Sequence, residues 1–134
     1  MHRSSPLRRS TLLAAMLLSL AGCAVPGRET TPSYVVFFTA FSADLDEPAR
    51  QVIGQAAQAA QASPDRVVRV EGYADSAGST DANRTLSQLR AQVVADALAE
   101  RSVPRNRIAL RPRGQQGGDP GVESRRVEIN VTAP

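Results

Sequence analysis

The chain has 134 residues, enough for one domain and a short leader, and carries a formal net charge of +3. All 16 cations are Arg, and three of them (Arg3, Arg8, Arg9) lie in a leader read below as removed, so 13 Arg then balance the 13 Asp and Glu. A neutral mature chain gives no case for nucleic acid despite the high isoelectric point. His2 and Cys23 are the only His and Cys, and there is no Lys, which excludes imidazole triads, thiol nucleophiles, Schiff bases and the usual zinc sites. No cofactor, metal or catalytic residue is expected.

Residues 1–10 are basic and hold no acid, and Thr11 to Ala21 is an apolar run. That pairing fits a secretory signal and is short for a membrane span. The run ends in Leu20-Ala21-Gly22-Cys23, which resembles a bacterial lipobox. The resemblance implies cleavage before Cys23 and acylation of its thiol. More than one acyl chain gives stable anchoring, at about 0.8 kcal/mol per buried methylene. Ala24 in place of an Asp favours the outer membrane over the inner, with the domain in the periplasm. Residues 24–33, with two Pro and one Gly, read as a tether of at most about 35 Å. The expected division is 1–22 signal peptide, 23–33 lipidated Cys and tether, and 34–134 one folded domain.

Tyr34 to Phe38 is an apolar run expected as a buried strand. Asp46 is placed to cap a helix with Pro48 in its first turn. Ala49, Val52, Ile53, Ala56 and Ala60 share one face of that helix, and the small residues imply close approach to a sheet. Ser63-Pro64-Asp65 ends it. Arg66 to Tyr73 alternates as a second strand, with Glu71 expected to face solvent. The stretch Ser76 to Thr80 is a loop in which Gly78 is free to take φ > 0. A second helix follows from Asp81 to about Arg101, with Leu86, Leu89, Val93, Val94, Ala97 and Leu98 as its apolar residues. Ile108 to Arg111 is a third strand. Arg113 to Glu123 is a Gly-rich connector with neither phosphate-loop nor dinucleotide spacing. Arg125 to Val131 alternates as a half-buried final strand. The order β-α-β-α-β-β predicts an α/β (α+β) fold, a single mixed four-stranded sheet with two main helices packed on one face.

One residue breaks the second helix's pattern. At about 100° per residue, Arg90 falls within the apolar arc. A guanidinium aimed at a core is expensive unless it is paired or hydrogen-bonded. Asn83 lies one heptad earlier on nearly the same side, and Asp75 closes the preceding strand. These three can converge at the mouth between strand and helix, as a structural salt bridge of Asp75 with Arg90 or as a ligand site.

Gly72-Tyr73-Ala74-Asp75, Gly78, Asn83, Leu86-Ser87, Arg90-Ala91 and Val94 resemble the signature of the OmpA-like C-terminal domain. Arg125 to Ile129 resembles that family's closing strand, and Pro48-Ala49-Arg50 its entry to the first helix. The resemblance covers 34–131. It implies noncovalent binding of peptidoglycan at the diaminopimelate of the stem peptide. Asp75 and Arg90 would hold that residue with help from Asn83, and Ala74, Leu86 and Arg126 would be supporting positions. An Asp suits the ammonium of the zwitterionic tip and an Arg fork its carboxylate.

Two departures stand out. The acid usual after the family's first strand is missing from Phe38-Thr39-Ala40-Phe41-Ser42, so its contact is lost or moved to Asp44. Arg111-Pro112-Arg113-Gly114 replaces a usual G-x-G-E, adding Arg111 and Arg113 as solvated charges or further contacts. The expected function is an outer-membrane-anchored lipoprotein that tethers envelope layers and catalyses nothing. The alternative is an interaction subunit of a trans-envelope or secretion machine, with other envelope proteins as partners. A wall hydrolase would need a second acid beside Asp75, with Asp81 and Glu71 the candidates.

Overall fold

Alternation in the strands builds the core. In the computed structural model, which describes residues 31–116 and 120–134, Val68, Val70, Val127, Ile129 and Val131 are all essentially inaccessible to solvent. They project to one side of a single sheet, where both helices lie. The signal peptide, Cys23, most of the tether and the centre of the Gly-rich loop lie outside the described residues. The elements are β1 (Ser33–Phe37), α1 (Glu47–Ala62), β2 (Val67–Ala74), α2 (Thr80–Glu100), β3 (Ile108–Gln115) and β4 (Arg126–Thr132). Among the described residues, no helix is long and apolar enough to cross a membrane.

The sheet order is β1-β4-β2-β3. β4 runs antiparallel to both β1 and β2, and β2 is parallel to β3. The residue that leads into β4 therefore lies at the same end of the sheet as the residues that leave β1 and β2. That shared end carries the site.

The boundaries differ from the expected ones by one residue at the ends of β1, β2, α2 and β4, and by four at the end of β3. β1 begins at Ser33, and Val131 donates its N–H to Pro32 O at 3.1 Å. Ser33, assigned to the tether, thus belongs to the sheet, and Pro32 is hydrogen-bonded to β4. β3 continues through Pro112 to Gln115 rather than stopping at Arg111. Proline lacks a ladder donor, and the strand accepts it because β3 is at the sheet edge, where the pairing also slips between Gly72 and Tyr73.

Asp46 caps α1, accepting from Ala49 N–H at 2.8 Å, with Pro48 in the first turn. Ala49, Ile53, Ala56, Ala57 and Ala60 are buried, so the helix sits close to the sheet. In α2 the buried stripe is Asn83, Ser87, Arg90, Ala91, Val94, Ala95, Ala97 and Leu98. Leu89, expected inside, is half exposed, and Leu86 and Val93 are only partly covered. The stripe is turned toward small and polar residues because the facing strand carries Gly72. A Cβ there would lie 2.1 Å from Ser87 O and 3.0 Å from the Ala91 Cβ. Gly72→Ala must push α2 off the sheet, and overpacking of this kind costs about 1–3 kcal/mol. A lower urea midpoint is the expected result, and an unchanged one would show that the helix shifts freely.

Candidate functional site

Three chain segments meet at the end of the sheet where β1 and β2 finish and β4 begins. Asp75 follows β2 directly, and its side chain is 10% exposed. Its Oδ1 accepts from Ala77 N–H at 3.0 Å, which folds the loop back over the strand end. Gly78 takes φ 90°, and Ser79 caps α2 by accepting from Ala82 N–H. Asn83, one turn into the helix, is buried and donates its Nδ2 to Ala77 O at 2.9 Å. Asn83 thus fixes the loop that fixes Asp75.

Arg90 is fully buried, and all three of its nitrogens donate to backbone carbonyls: Nε to Ser42 O at 2.8 Å, Nη1 to Tyr73 O at 3.1 Å and Nη2 to Thr39 O at 3.0 Å. The Phe38 ring lies 5.2 Å from its guanidinium carbon. Burial pulls the Arg90 pKa below its ordinary value, the charge of Asp75 counteracts this, and Arg125 adds to the lowering. Arginine remains charged at physiological pH regardless. Arg90 therefore ties the loop after β1 to the end of β2 from beneath.

The ion pair of Asp75 among the described residues is with Arg125, not Arg90. Arg125 Nη1 lies 3.3 Å from Asp75 Oδ2, and its Nε donates to Phe38 O at 3.3 Å. Its side chain is 22% exposed. Of this pair Arg125 is the member that reaches solvent, and Asp75 is largely buried. Sequence pattern places Arg125 only in the closing strand. The doubled Arg125-Arg126 just before an alternating run is the one available signal, since alternation sends the two residues to different surroundings.

The other expected positions have varied surroundings. Ala74 is fully buried and offers its carbonyl to Gln116 N–H. Leu86 is half-buried. Arg126 lies on the helix-free face of the sheet, 4.2 Å over the Tyr73 ring, donating to Glu128 Oε1 and Glu123 O. Asp44 is exposed and exchanges hydrogen bonds with the Ser42 hydroxyl. Arg111 is exposed.

Glu71 is a correction: it is 8% exposed rather than solvated. Burial alone raises its pKa, but hydrogen bonds from Arg113 and the Tyr73 hydroxyl, with the charges of Arg113 and Arg69, outweigh it and hold the carboxyl below its usual value. The Arg113 partner comes from the neighbouring strand β3, which local pattern does not reveal. Glu71 is thereby committed away from Asp75. Asp81 is 91% exposed and pairs with Arg84. The two candidates for a second acid beside Asp75 are thus both engaged with arginines.

A cleft of about 100 Å³ lies elsewhere, between β1 and α1, lined by Val35, Val36, Phe37, Asp46, Pro48, Ala49 and Val52. Its one charge, Asp46, is engaged as the α1 cap. Among the described residues no group of His, Cys, Asp and Glu is arranged to hold a metal ion.

Residues 37–127 match the OmpA family. The peptidoglycan-associated lipoprotein of Brucella melitensis is 30% identical over 133 aligned positions, covering 81% of this chain and 79% of that protein. The crystal structure of the peptidoglycan-associated lipoprotein from Burkholderia pseudomallei is similar in fold, with a TM-score of 0.68 at 24% identity, covering 74% of this chain and 90% of that one. The OmpA-like domain of FopA1 from Francisella tularensis superimposes with a TM-score of 0.69 at 26% identity, covering 78% of this chain and 73% of that one.

Proposed function

The chain belongs to the OmpA family, and from that premise we propose that it binds peptidoglycan noncovalently through the mouth around Asp75. The peptidoglycan-associated lipoprotein relatives support this reading by their names. The observation that carries it is the Asp75–Arg125 pair: a carboxylate held on a backbone N–H, facing a partly exposed guanidinium at the common end of three strands. Such a pair is matched to a zwitterion. A carboxylate has about four lone-pair positions, and an ammonium inserted beside Asp75 uses those that Ala77 and Arg125 leave open. A ligand carboxylate suits the Arg125 fork. With no ligand the two side chains neutralise each other, so the empty site is stable.

The ligand that fits is the side-chain tip of diaminopimelate, which carries both groups on one carbon. In this reading Asp75 takes the ammonium, Arg125 shares the carboxylate, Asn83 holds the loop, and Arg90 holds the site together from behind. Arg90 also adds positive potential beneath the carboxylate. Anchoring through Cys23 in the outer membrane would place the domain in the periplasm within reach of the wall. Such a protein ties two envelope layers together by binding alone.

Co-sedimentation of the full chain with two kinds of purified sacculi tests the proposal. Walls containing diaminopimelate should carry the protein down. Walls with lysine in its place lack the distal carboxylate and should carry down at least about tenfold less, a difference of about 1.4 kcal/mol. Equal recovery from both would remove the cationic half of the site.

A further inference from the structure

Two non-glycine residues among those described have a left-handed backbone, Phe41 at φ 57° and Ser102 at φ 66°. Ser102 has a local reason. It follows the end of α2, where its N–H reaches Ala99 O and Val103 N–H reaches Leu98 O, the usual way a helix closes. Phe41 ends no helix. It is the third residue of a turn closed by Ser42 N–H to Thr39 O at 3.3 Å, a position that Gly or Asn ordinarily fills when φ is positive. A bulky side chain there is strained. Burial does not compensate, since Phe41 is 75% exposed, the most exposed large hydrophobic residue among those described.

The conformation is imposed from inside. Arg90 binds the carbonyls of Thr39 and Ser42, the two residues that bracket the turn. Both carbonyls are drawn inward, and the ring between them is presented outward. Arg125 connects the same loop to the site, holding Phe38 O with Nε and Asp75 with Nη1. A strained, unburied aromatic on the rim of a binding mouth is of no use to the fold, and such outliers point to function.

We infer that Phe41 is a platform for the apolar face of a pyranose ring in the glycan strand, beside the mouth that takes the stem peptide. This rests on the peptidoglycan reading above. The face of an aromatic ring is electron-rich, and the C–H-lined face of a sugar ring is weakly positive and flat, so the two pack in parallel.

The test uses titration calorimetry on the full chain with two ligands: a diaminopimelate-containing stem peptide, and the same peptide attached to its disaccharide. The wild type should bind the disaccharide form about fivefold tighter, within the range of a single aromatic contact. Phe41→Gly should abolish that difference, leave the affinity for the bare peptide unchanged, and raise the melting temperature by relieving the strain. Phe41→Trp should keep the difference. An equal loss for both ligands in Phe41→Gly would put the ring against the peptide and overturn the inference. So would no change for either, or a fall in melting temperature, which would make the ring part of the fold. A wild type that binds neither ligand would instead remove the peptidoglycan reading, and this inference with it.

Discussion

Arg90→Ala is expected to destabilise the domain by about 3–5 kcal/mol, the largest effect of any single change at the site. Three backbone carbonyls, of Thr39, Ser42 and Tyr73, lose the Arg90 donors together, and of these Thr39 O keeps the Ser42 N–H. The buried Tyr73 carbonyl left short of a donor costs about 1–3 kcal/mol, the partly exposed Ser42 carbonyl less, and the vacated volume adds a cavity term. For a domain of this size each kcal/mol moves the melting temperature by about 4–8 °C, so the fall should exceed about 12 °C. Arg90→Met restores volume but no donor and should recover only a minor part. Arg90→Lys concentrates its donors at one point and cannot reach three carbonyls lying in different directions. Thermal unfolding followed by circular dichroism checks the series. An Arg90→Ala protein melting within a few degrees of the parent would mean that water replaces the guanidinium without penalty. Wall binding should fall as well, because the loop that carries Phe41 is no longer tied to β2.

Asp75→Asn should do the opposite: cost the fold less than it costs binding. The amide keeps the size and an acceptor for Ala77 N–H. Arg125 keeps its bond to Phe38 O and turns its other nitrogens to the new amide oxygen or to water, so losing the charge of this largely buried pair should cost about 1–3 kcal/mol, less than Arg90→Ala. In the proposed complex the carboxylate faces a ligand ammonium out of bulk water. Truncating one member of such a pair costs about 2–5 kcal/mol, or roughly 30-fold to several thousand-fold in affinity. Sedimentation with diaminopimelate-containing sacculi is the readout, with the melting temperature as the control. A variant that still sediments like the parent would remove Asp75 from the site. Together the two variants separate a residue proposed to contact ligand from one proposed to hold that contact in place, although both stand in the same sequence signature.

Several features of the domain are legible in the order of its amino acids. Alternation at Val68 and Val70 and at Val127, Ile129 and Val131 marks strands with one buried face, and all five side chains lie in the core. Asp46 and Pro48 mark the start of α1, as observed. The helical period puts Arg90 inside the buried arc of α2, and it is fully buried. These are local properties: the repeat of a helix or strand and the chemistry of a cap are written within a few residues.

The tertiary structure decided who meets whom. Placing β4 between β1 and β2 brings Arg125 to Asp75, 50 positions apart in sequence. Setting β3 beside β2 gives Glu71 the Arg113 partner that makes its burial tolerable. Folding also turned Arg90 away from the expected carboxylate toward three carbonyls, two of them about 50 residues distant. Charge pairing depends on distance in space, and sheet order sets that distance without leaving a trace in local periodicity. The amino-acid sequence therefore determined which residues could be charged, buried or turned. Only the folded sheet determined that one Arg faces the mouth while the other, in the same motif as Asp75, holds the mouth in shape.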